Sequence, residues 1–271
     1  MKVHVLDVGH GDTIILEMPI GDREKAFGVI DCIKFDDITR PYLEELKAEE
    51  LAFVCGTHPH EDHILGIKKL LEAYEGKVGE YWDSGKEHTL PEYQELMDYI
   101  YDENIQTEFV RSGSIIRFGR TRLHILAPPT KLFLDAKKEA YNINNASIVI
   151  LVEYGRSRIM LSGDSQFANW AHIRVTHRDV LKAHALKISH HGSKHGNFLE
   201  CLEVIEPNYA IISAGTRDLN GFPHKNTMDA LLETLRARGL DRDRIFITRE
   251  VGDIIIKSTG SKVLKIITER D

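Results

Sequence analysis

His58-Pro59-His60-Glu61-Asp62-His63 places three imidazoles and an aspartate within six residues, a His-x-His-x-Asp-His pattern. Imidazole nitrogen and carboxylate oxygen together suit zinc, and also manganese or iron. Just before it, Leu51-Ala52-Phe53-Val54-Cys55 is a short apolar run that predicts a buried strand. Just after it, Ile64, Leu65, Ile67, Leu70 and Leu71 recur at helical spacing, which predicts a helix over 62–74. The ligands therefore fall on a strand-to-helix turn, with His58 and His60 leaving the strand and Asp62 and His63 in the first helical turn. One short loop of this kind can face two metal ions. The plain alternative is a histidine-rich surface loop, since the chain has 14 histidines. Three of them with an aspartate at fixed spacing after a strand favour a metal site.

Working outward, the N-terminal part predicts strands over 3–8, 13–18 and 26–30, separated by glycine turns, and a helix over 39–49. Beyond the histidine loop come a strand over 79–82, a helix over 91–101, and strands over 106–110, 114–118 and 121–126. A helical patch over 130–140 leads to central strands over 146–154 and 158–162. Ser147-Ile148-Val149-Ile150-Leu151-Val152 is almost continuously apolar, as expected of a strand covered on both faces. The rest alternates. Strands over 185–189 and 209–213 are interleaved with helices within 166–181, over 197–204 and over 227–238, the last with Asn226 as its N-cap and Gly239 past its end. Strands over 244–248, 252–257 and 262–267 close the chain. Two packed mixed sheets with helices on both outer faces follow, an α/β chain of four αββα layers read as one domain over 1–271.

Composition bounds the function. The 271 residues are 42% apolar and 28% charged, ordinary for a soluble globular protein, with a net charge of −7. No run of lysine or arginine provides the basic surface that a long duplex requires, although a short local patch is compatible with this balance. No apolar run approaches a membrane span. Met1-Lys2-Val3-His4-Val5 starts a strand at once, without a secretory leader. Cys32, Cys55 and Cys201 match no disulfide or zinc-ribbon spacing and point to a reducing, cytoplasmic setting.

Four further segments carry site chemistry, each after a predicted strand, where sites in layered α/β proteins gather. Leu161-Ser162-Gly163-Asp164 ends on a carboxylate, and Ile188-Ser189-His190-His191-Gly192-Ser193 holds two adjacent imidazoles. Gly221-Phe222-Pro223-His224 offers another histidine before a helix. In Leu6-Asp7-Val8-Gly9-His10-Gly11-Asp12, glycines permit close backbone approach and the acids can support metal-bound histidines.

Taken in order, these segments resemble the metallo-β-lactamase superfamily, and more narrowly the hydrolase domain of the ComEC competence proteins and their stand-alone relatives. Asp7-Val8-Gly9-His10-Gly11-Asp12 is similar to that family's Asp-Val-Gly-Gln-Gly-Asp, with histidine where glutamine is usual. Val29-Ile30-Asp31, the loop at 57–63 with Gly66, Asn144-Asn145-Ala146-Ser147, Leu161 with Gly163-Asp164, Lys187 with His190-His191-Gly192-Ser193, and Ser213-Ala214-Gly215 also resemble family segments. Pro223-His224 reverses the usual His-Pro order.

The resemblance implies two divalent ions, zinc or manganese. His58 and His60 would hold the first, Asp62, His63 and His224 the second, and Asp164 would bridge them. His190 or His191 would be a ligand or a catalytic histidine. The turn at Gly192 favours His191 as the one facing the site, with its neighbour packed into the scaffold. Asp62, His190 and His191 are the candidate catalytic residues, and Ser193, Lys194 and the amides after Gly192 are candidate phosphate contacts. Many relatives carry a further first-ion histidine where this chain has Asn144-Asn145, so the first ion is expected to be held weakly or completed by His190 or His191. The implied activity is metal-dependent hydrolysis of a phosphodiester in nucleic acid or a nucleotide. The alternatives are hydrolysis of a carbonyl substrate (lactone, thioester or β-lactam) and a non-catalytic, metal-stabilised interaction module.

Overall fold

The central strands explain the layering. The computed structural model describes residues 1–130, 142–216 and 221–270. In the strand Val149–Tyr154, Ile150 and Val152 project into the layer between two sheets, while Val149 and Leu151 meet helices on the other side. Both faces are dry, so the sequence there is continuously apolar rather than alternating. Each such side chain removed from water contributes about 1.5–3 kcal/mol. Across the molecule Phe53 and Cys55 enter the same middle layer, while Val54 faces the opposite helices.

The first sheet has eight strands in the order β15-β14-β1-β2-β3-β4-β5-β6. These are β1 (Lys2–Val5), β2 (Ile14–Pro19), β3 (Lys25–Ile30), β4 (Leu51–Gly56), β5 (Val78–Asp83), β6 (Thr107–Phe109), β14 (Ile254–Ser258) and β15 (Leu264–Thr268). The second has seven in the order β13-β12-β11-β10-β9-β8-β7. Its members are β7 (Ile115–Phe118), β8 (Thr121–Ala127), β9 (Val149–Tyr154), β10 (Ser157–Leu161), β11 (Ala185–Lys187), β12 (Tyr209–Ile212) and β13 (Ile245–Ile247). Both sheets are mixed: β3 to β6 and β10 to β13 run parallel, and the remaining neighbours antiparallel. Helices α1 (Arg40–Glu45), α3 (Ile67–Ala73) and α4 (Pro91–Asp102) cover the first sheet. Helices α5 (Phe167–Thr176), α6 (Leu199–Ile205) and α7 (Lys225–Arg236) cover the second. The result is the expected four-layer αββα sandwich.

Several boundaries differ from the sequence expectation. The helix read over 62–74 is broken into α2 (Glu61–Ile64) and α3. At the break the Gly66 amide donates to the Cys32 carbonyl at 2.7 Å, and a Cβ there would stand 3.0 Å from that oxygen. The chain turns where another loop touches it. Helix α7 begins two residues earlier than read, so His224, not Asn226, holds its N-cap position. The helix read over 39–49 shrinks to α1 after a π turn at Phe35–Thr39, and a short α8 (Thr248–Val251) follows β13, between the strands read over 244–248 and 252–257. The helix expected over 130–140 falls, beyond residue 130, outside the described residues. Among the described residues no helix is long and apolar enough to cross a membrane. The three cysteines are unbonded and buried.

Candidate metal centre

Strand ends from both sheets converge. Asp31 follows β3, His58 follows β4, Asp164 follows β10, and His190 and His191 follow β11. Among the described residues, six non-glycine residues have a left-handed backbone, and three of them are Asp31, His190 and His191, with φ of 56°, 49° and 52°. Such a conformation costs on the order of 1–3 kcal/mol and marks sites where surrounding structure enforces it. Here it decides where the paired histidines point. In an extended strand adjacent side chains diverge. With both residues left-handed, His190 Nε2 and His191 Nε2 each lie 3.6 Å from Asp164, the first from Oδ2 and the second from Oδ1. The expectation that one would turn into the scaffold is therefore corrected.

Asp164 divides the site in two. On its Oδ2 side, His58, His60 and Asp164 offer ligand atoms within 4.8 Å of one another. His58 Nε2 is 3.0 Å from His60 Nδ1 and 3.8 Å from Asp164 Oδ2. On its Oδ1 side, Asp12, His63, Asp164 and His191 form a fully buried group. Asp62 adds an oxygen 3.3 Å from His191 Nε2 and 3.9 Å from His63 Nε2.

Outer hydrogen bonds set the tautomers. Asp31 accepts from the Thr57 amide at 2.7 Å, the Thr57 hydroxyl at 2.8 Å and His63 Nδ1 at 2.6 Å. His63 thus presents Nε2 to the cluster. Thr57 Oγ1, having donated its proton, accepts from His58 Nδ1 at 3.2 Å and leaves His58 Nε2 as a lone pair. His191 Nδ1 donates to the Ser213 carbonyl at 3.1 Å, which also leaves Nε2 as a lone pair. These are the outer partners typical of metal-bound imidazoles. His190 is set the other way. The Asn144 amide fixes Asn142 Oδ1 as acceptor at 3.0 Å, and Asn142 Nδ2 donates to Gln166 Oε1 at 2.8 Å. Gln166 Nε2 then donates to His190 Nδ1 at 3.2 Å, so the His190 proton sits on Nε2, facing the site.

The donor set fits divalent cations. His63 Nε2, His191 Nε2, Asp164 Oδ1 and Asp12 Oδ1 are buried and have no hydrogen bond of good geometry. Such groups are costly unless something else satisfies them. Charge points the same way. Asp12, Asp31, Asp62 and Asp164 all bear on these histidines, and the buried Lys187 ammonium lies 2.9 Å from Asp12. Burial alone would raise Asp164, but His63 and His191 hold it well below the usual carboxylate range. Burial lowers His58, His60 and His190. It would lower His63 too, but Asp164, Asp31 and Asp62 overcome it and push His63 well above an ordinary histidine. A proton there does the work of a missing cation.

The structure gathers His58, His60, Asp62, His63, Asp164, His190 and His191. It does not gather His224, which lies in none of the three potential metal-holding groups among the described residues and packs edge-on to Phe222 at 5.2 Å. With the order Pro223-His224, Phe222 faces the imidazoles instead, 6.3 Å from His191 and 5.4 Å from His190. Ser193 is also turned inward: its amide donates to the His190 carbonyl and its hydroxyl accepts from the His195 amide. Lys194 is exposed. Two residues join these potential metal-holding groups that the sequence reading did not name as ligands. Asp12 joins the buried group, and His10 Nε2 lies 3.1 Å from Asp62 Oδ2, forming a group with Asp62 and His191. The available signal was the histidine at position 10 where glutamine was expected.

Comparison with known proteins agrees with this geometry. A family model described as Metallo-beta-lactamase superfamily matches residues 5–248. ComE operon protein 3 of Bacillus subtilis (strain 168) is 23% identical over 245 residues, 85% of this chain and 30% of that protein. Recombination protein 2 of Haemophilus influenzae is 28% identical over 193 residues, 70% of this chain and 21% of that protein. The chain therefore spans less than a third of the length of either curated relative. Among solved structures, CmlA, a diiron β-hydroxylase from Streptomyces venezuelae, aligns with a TM-score of 0.60 at 12% identity, covering 98% of this chain and 54% of CmlA. The metallo-beta-lactamase fold protein YhfI from Bacillus subtilis aligns with a TM-score of 0.54 at 11% identity, covering 98% and 99%. At these identities the likeness to solved structures is one of fold.

Proposed function

The chain belongs to the metallo-beta-lactamase superfamily, and from that premise we propose that it is a metal-dependent phosphodiesterase acting on nucleic acid or a nucleotide. The observation that carries this reading is the division of Asp164, with the lone pairs of His58 Nε2 and His191 Nε2 on its two sides and one N–H donor, His190 Nε2, beside Oδ2. His58, His60 and Asp164 would hold one divalent ion, and His63, His191, Asp62 and Asp164 a second, with His10 within reach of Asp62. A bound divalent ion supplies Lewis acidity, which brings a water's pKa towards neutrality and offsets charge on phosphoryl oxygens. Asp31 and Ser213, through Nδ1, keep Nε2 of His63 and His191 turned to the cluster. His190 Nε2–H is placed to donate a hydrogen bond to a phosphoryl or leaving oxygen, and Gln166 holds its ring.

Two observations favour a phosphodiester over a carbonyl substrate. The cleft beside His60 has a volume of about 1360 Å³, and its wall carries Lys86 and Arg111, with Glu87 and Asp98, and Phe109, which is 55% exposed. Cationic and aromatic side chains together suit a phosphate and a stacked base. One curated relative is also named for recombination. The test is hydrolysis of bis-(p-nitrophenyl) phosphate with Mn²⁺ or Zn²⁺. We expect turnover that EDTA silences, and far weaker cleavage of a lactone or β-lactam. The opposite preference would overturn the reading.

A further inference from the structure

A second concave site lies at the other end of the second sheet. Strand β10 runs from Ser157 to Leu161, about 13 Å at the rise of a strand, with Arg158 at the end away from Asp164. There a half-open cavity of about 680 Å³ is lined by Arg122, Arg156, Arg158, Lys182, Arg238 and Lys262. The acids on its wall are Glu153 and Glu206. Six cations against two carboxylates is a strong local excess in a chain whose net charge is −7.

Sheet register builds part of this excess. Arg117 pairs with Arg122, Arg122 with Glu153, and Glu153 with Arg158, which lines these charges across four strands. Glu153 takes ion pairs from both Arg122 and Arg158. Lys182 pairs with Glu206 at 2.8 Å, and Arg238 donates to the carbonyls of Glu206 and Pro207. The side chains of Arg156 and Lys262 have no ion pair or hydrogen bond among the described residues, and both are exposed. Two touching turns bring them to the same rim. The Arg156 amide donates to the Gly260 carbonyl at 2.8 Å, and a Cβ on Gly155 would stand 2.5 Å from that oxygen. Glycine there lets the turn after β9 close on the turn before β15. Fixing two unneutralised cations beside four others is unfavourable unless an anion meets them.

We propose that this cleft is an anion site for a phosphate-bearing ligand, with Arg156 and Lys262 contacting its phosphates. The proposal is independent of the hydrolytic reading, because none of these residues belongs to the metal centre. The phosphates have two possible sources, the backbone of a single nucleic-acid strand or a free polyphosphate such as that of a nucleotide. Binding of metal-loaded protein is measured with a fluorescent phosphorothioate oligothymidylate by anisotropy and with inorganic tripolyphosphate by calorimetry. The double variant R156E/K262E is compared with wild type, and K68E/K69E on α3 serves as a charge-matched control. R156E/K262E should bind at least about tenfold more weakly and, for the strand, should lower the log–log salt slope by about 1.4, two single-strand contacts. The control should bind as wild type. Hydrolysis of a small diester should be equal in all three proteins, which separates this site from the metal centre. Loss confined to the oligonucleotide assigns a strand, and loss confined to tripolyphosphate assigns a free ligand. Wild type that binds neither probe, a double variant that binds both as wild type does, or a control that weakens equally would overturn the proposal.

Discussion

The two sides of Asp164 use the same ligand chemistry in different electrostatic settings. On the Oδ2 side His58 and His60 meet a single carboxylate, burial keeps both imidazoles neutral, and His60 borders the open cleft. On the Oδ1 side His63 and His191 are fully buried, Asp62 and Asp12 stand beside them, and Asp31 backs His63. From the Asn144-Asn145 segment, where the resemblance would put a further histidine, the Asn144 side-chain amide approaches His190 Nδ1 at 3.5 Å. The difference teaches that the carboxylates, not the histidines, set the order of filling. On this reading the Oδ1 side should bind the tighter ion, and the Oδ2 side an exchangeable one.

The largest effect should come from the one residue common to both sides. Asp164→Ala removes both bridging oxygens. Both ions should be lost on dialysis, and diester hydrolysis should fall by about 10³-fold or more, beyond the 10–100-fold typical of losing an outer partner. Metal analysis beside the rate checks this, and retention of two ions would refute the bridge. A smaller, directional effect separates the sides. His191→Ala should weaken the tighter ion by about 10–100-fold or more. His58→Ala should leave one ion per chain in place and remove the other. If the two variants lose the same ion, the asymmetry is wrong.

These sides were unequally legible in the sequence. His58, His60, Asp62 and His63 lie within one loop whose flanking strand and helix show their periods, so local pattern sufficed. Asp164 and the histidine pair were found because each ends an apolar strand. The four-layer fold was legible for the same reason, in the doubly apolar run of β9. What sequence could not supply was the direction of side chains after a left-handed turn: both His190 and His191 face Asp164 because φ is positive at each. Nor could spacing show that Pro223 sets Phe222, rather than His224, against the imidazoles, while His10 arrives from a turn more than 200 residues earlier. Ser193 offered a plausible hydroxyl for phosphate, but that hydroxyl is buried and accepts from the His195 amide of its own turn.

The smallest expected effect, about one proton, tests the asymmetry most directly. Without an ion, His63 is held protonated by Asp164, Asp31 and Asp62, which overcome the opposing effect of burial. An ion on the Oδ1 side must displace that proton, so its affinity should fall by about tenfold for each unit of pH below the raised His63 value. His58 and His60 are lowered by burial and are already neutral at pH 7, so an ion on the Oδ2 side should release almost none. Calorimetric titration in buffers of different ionisation enthalpy reads these proton counts for the first and second equivalents of metal. The same linkage has a sign for stability. Because the folded pKa of His63 is raised, its protonation stabilises the ion-free fold fully below the unfolded value of about 6.5. That contribution is lost as pH rises through the folded value. Chelated protein should therefore lose stability over that window, while loaded protein, whose His63 carries no such proton, should not. Equal proton release by both equivalents, or parallel pH profiles for loaded and chelated protein, would show that carboxylate crowding does not distinguish the two sides.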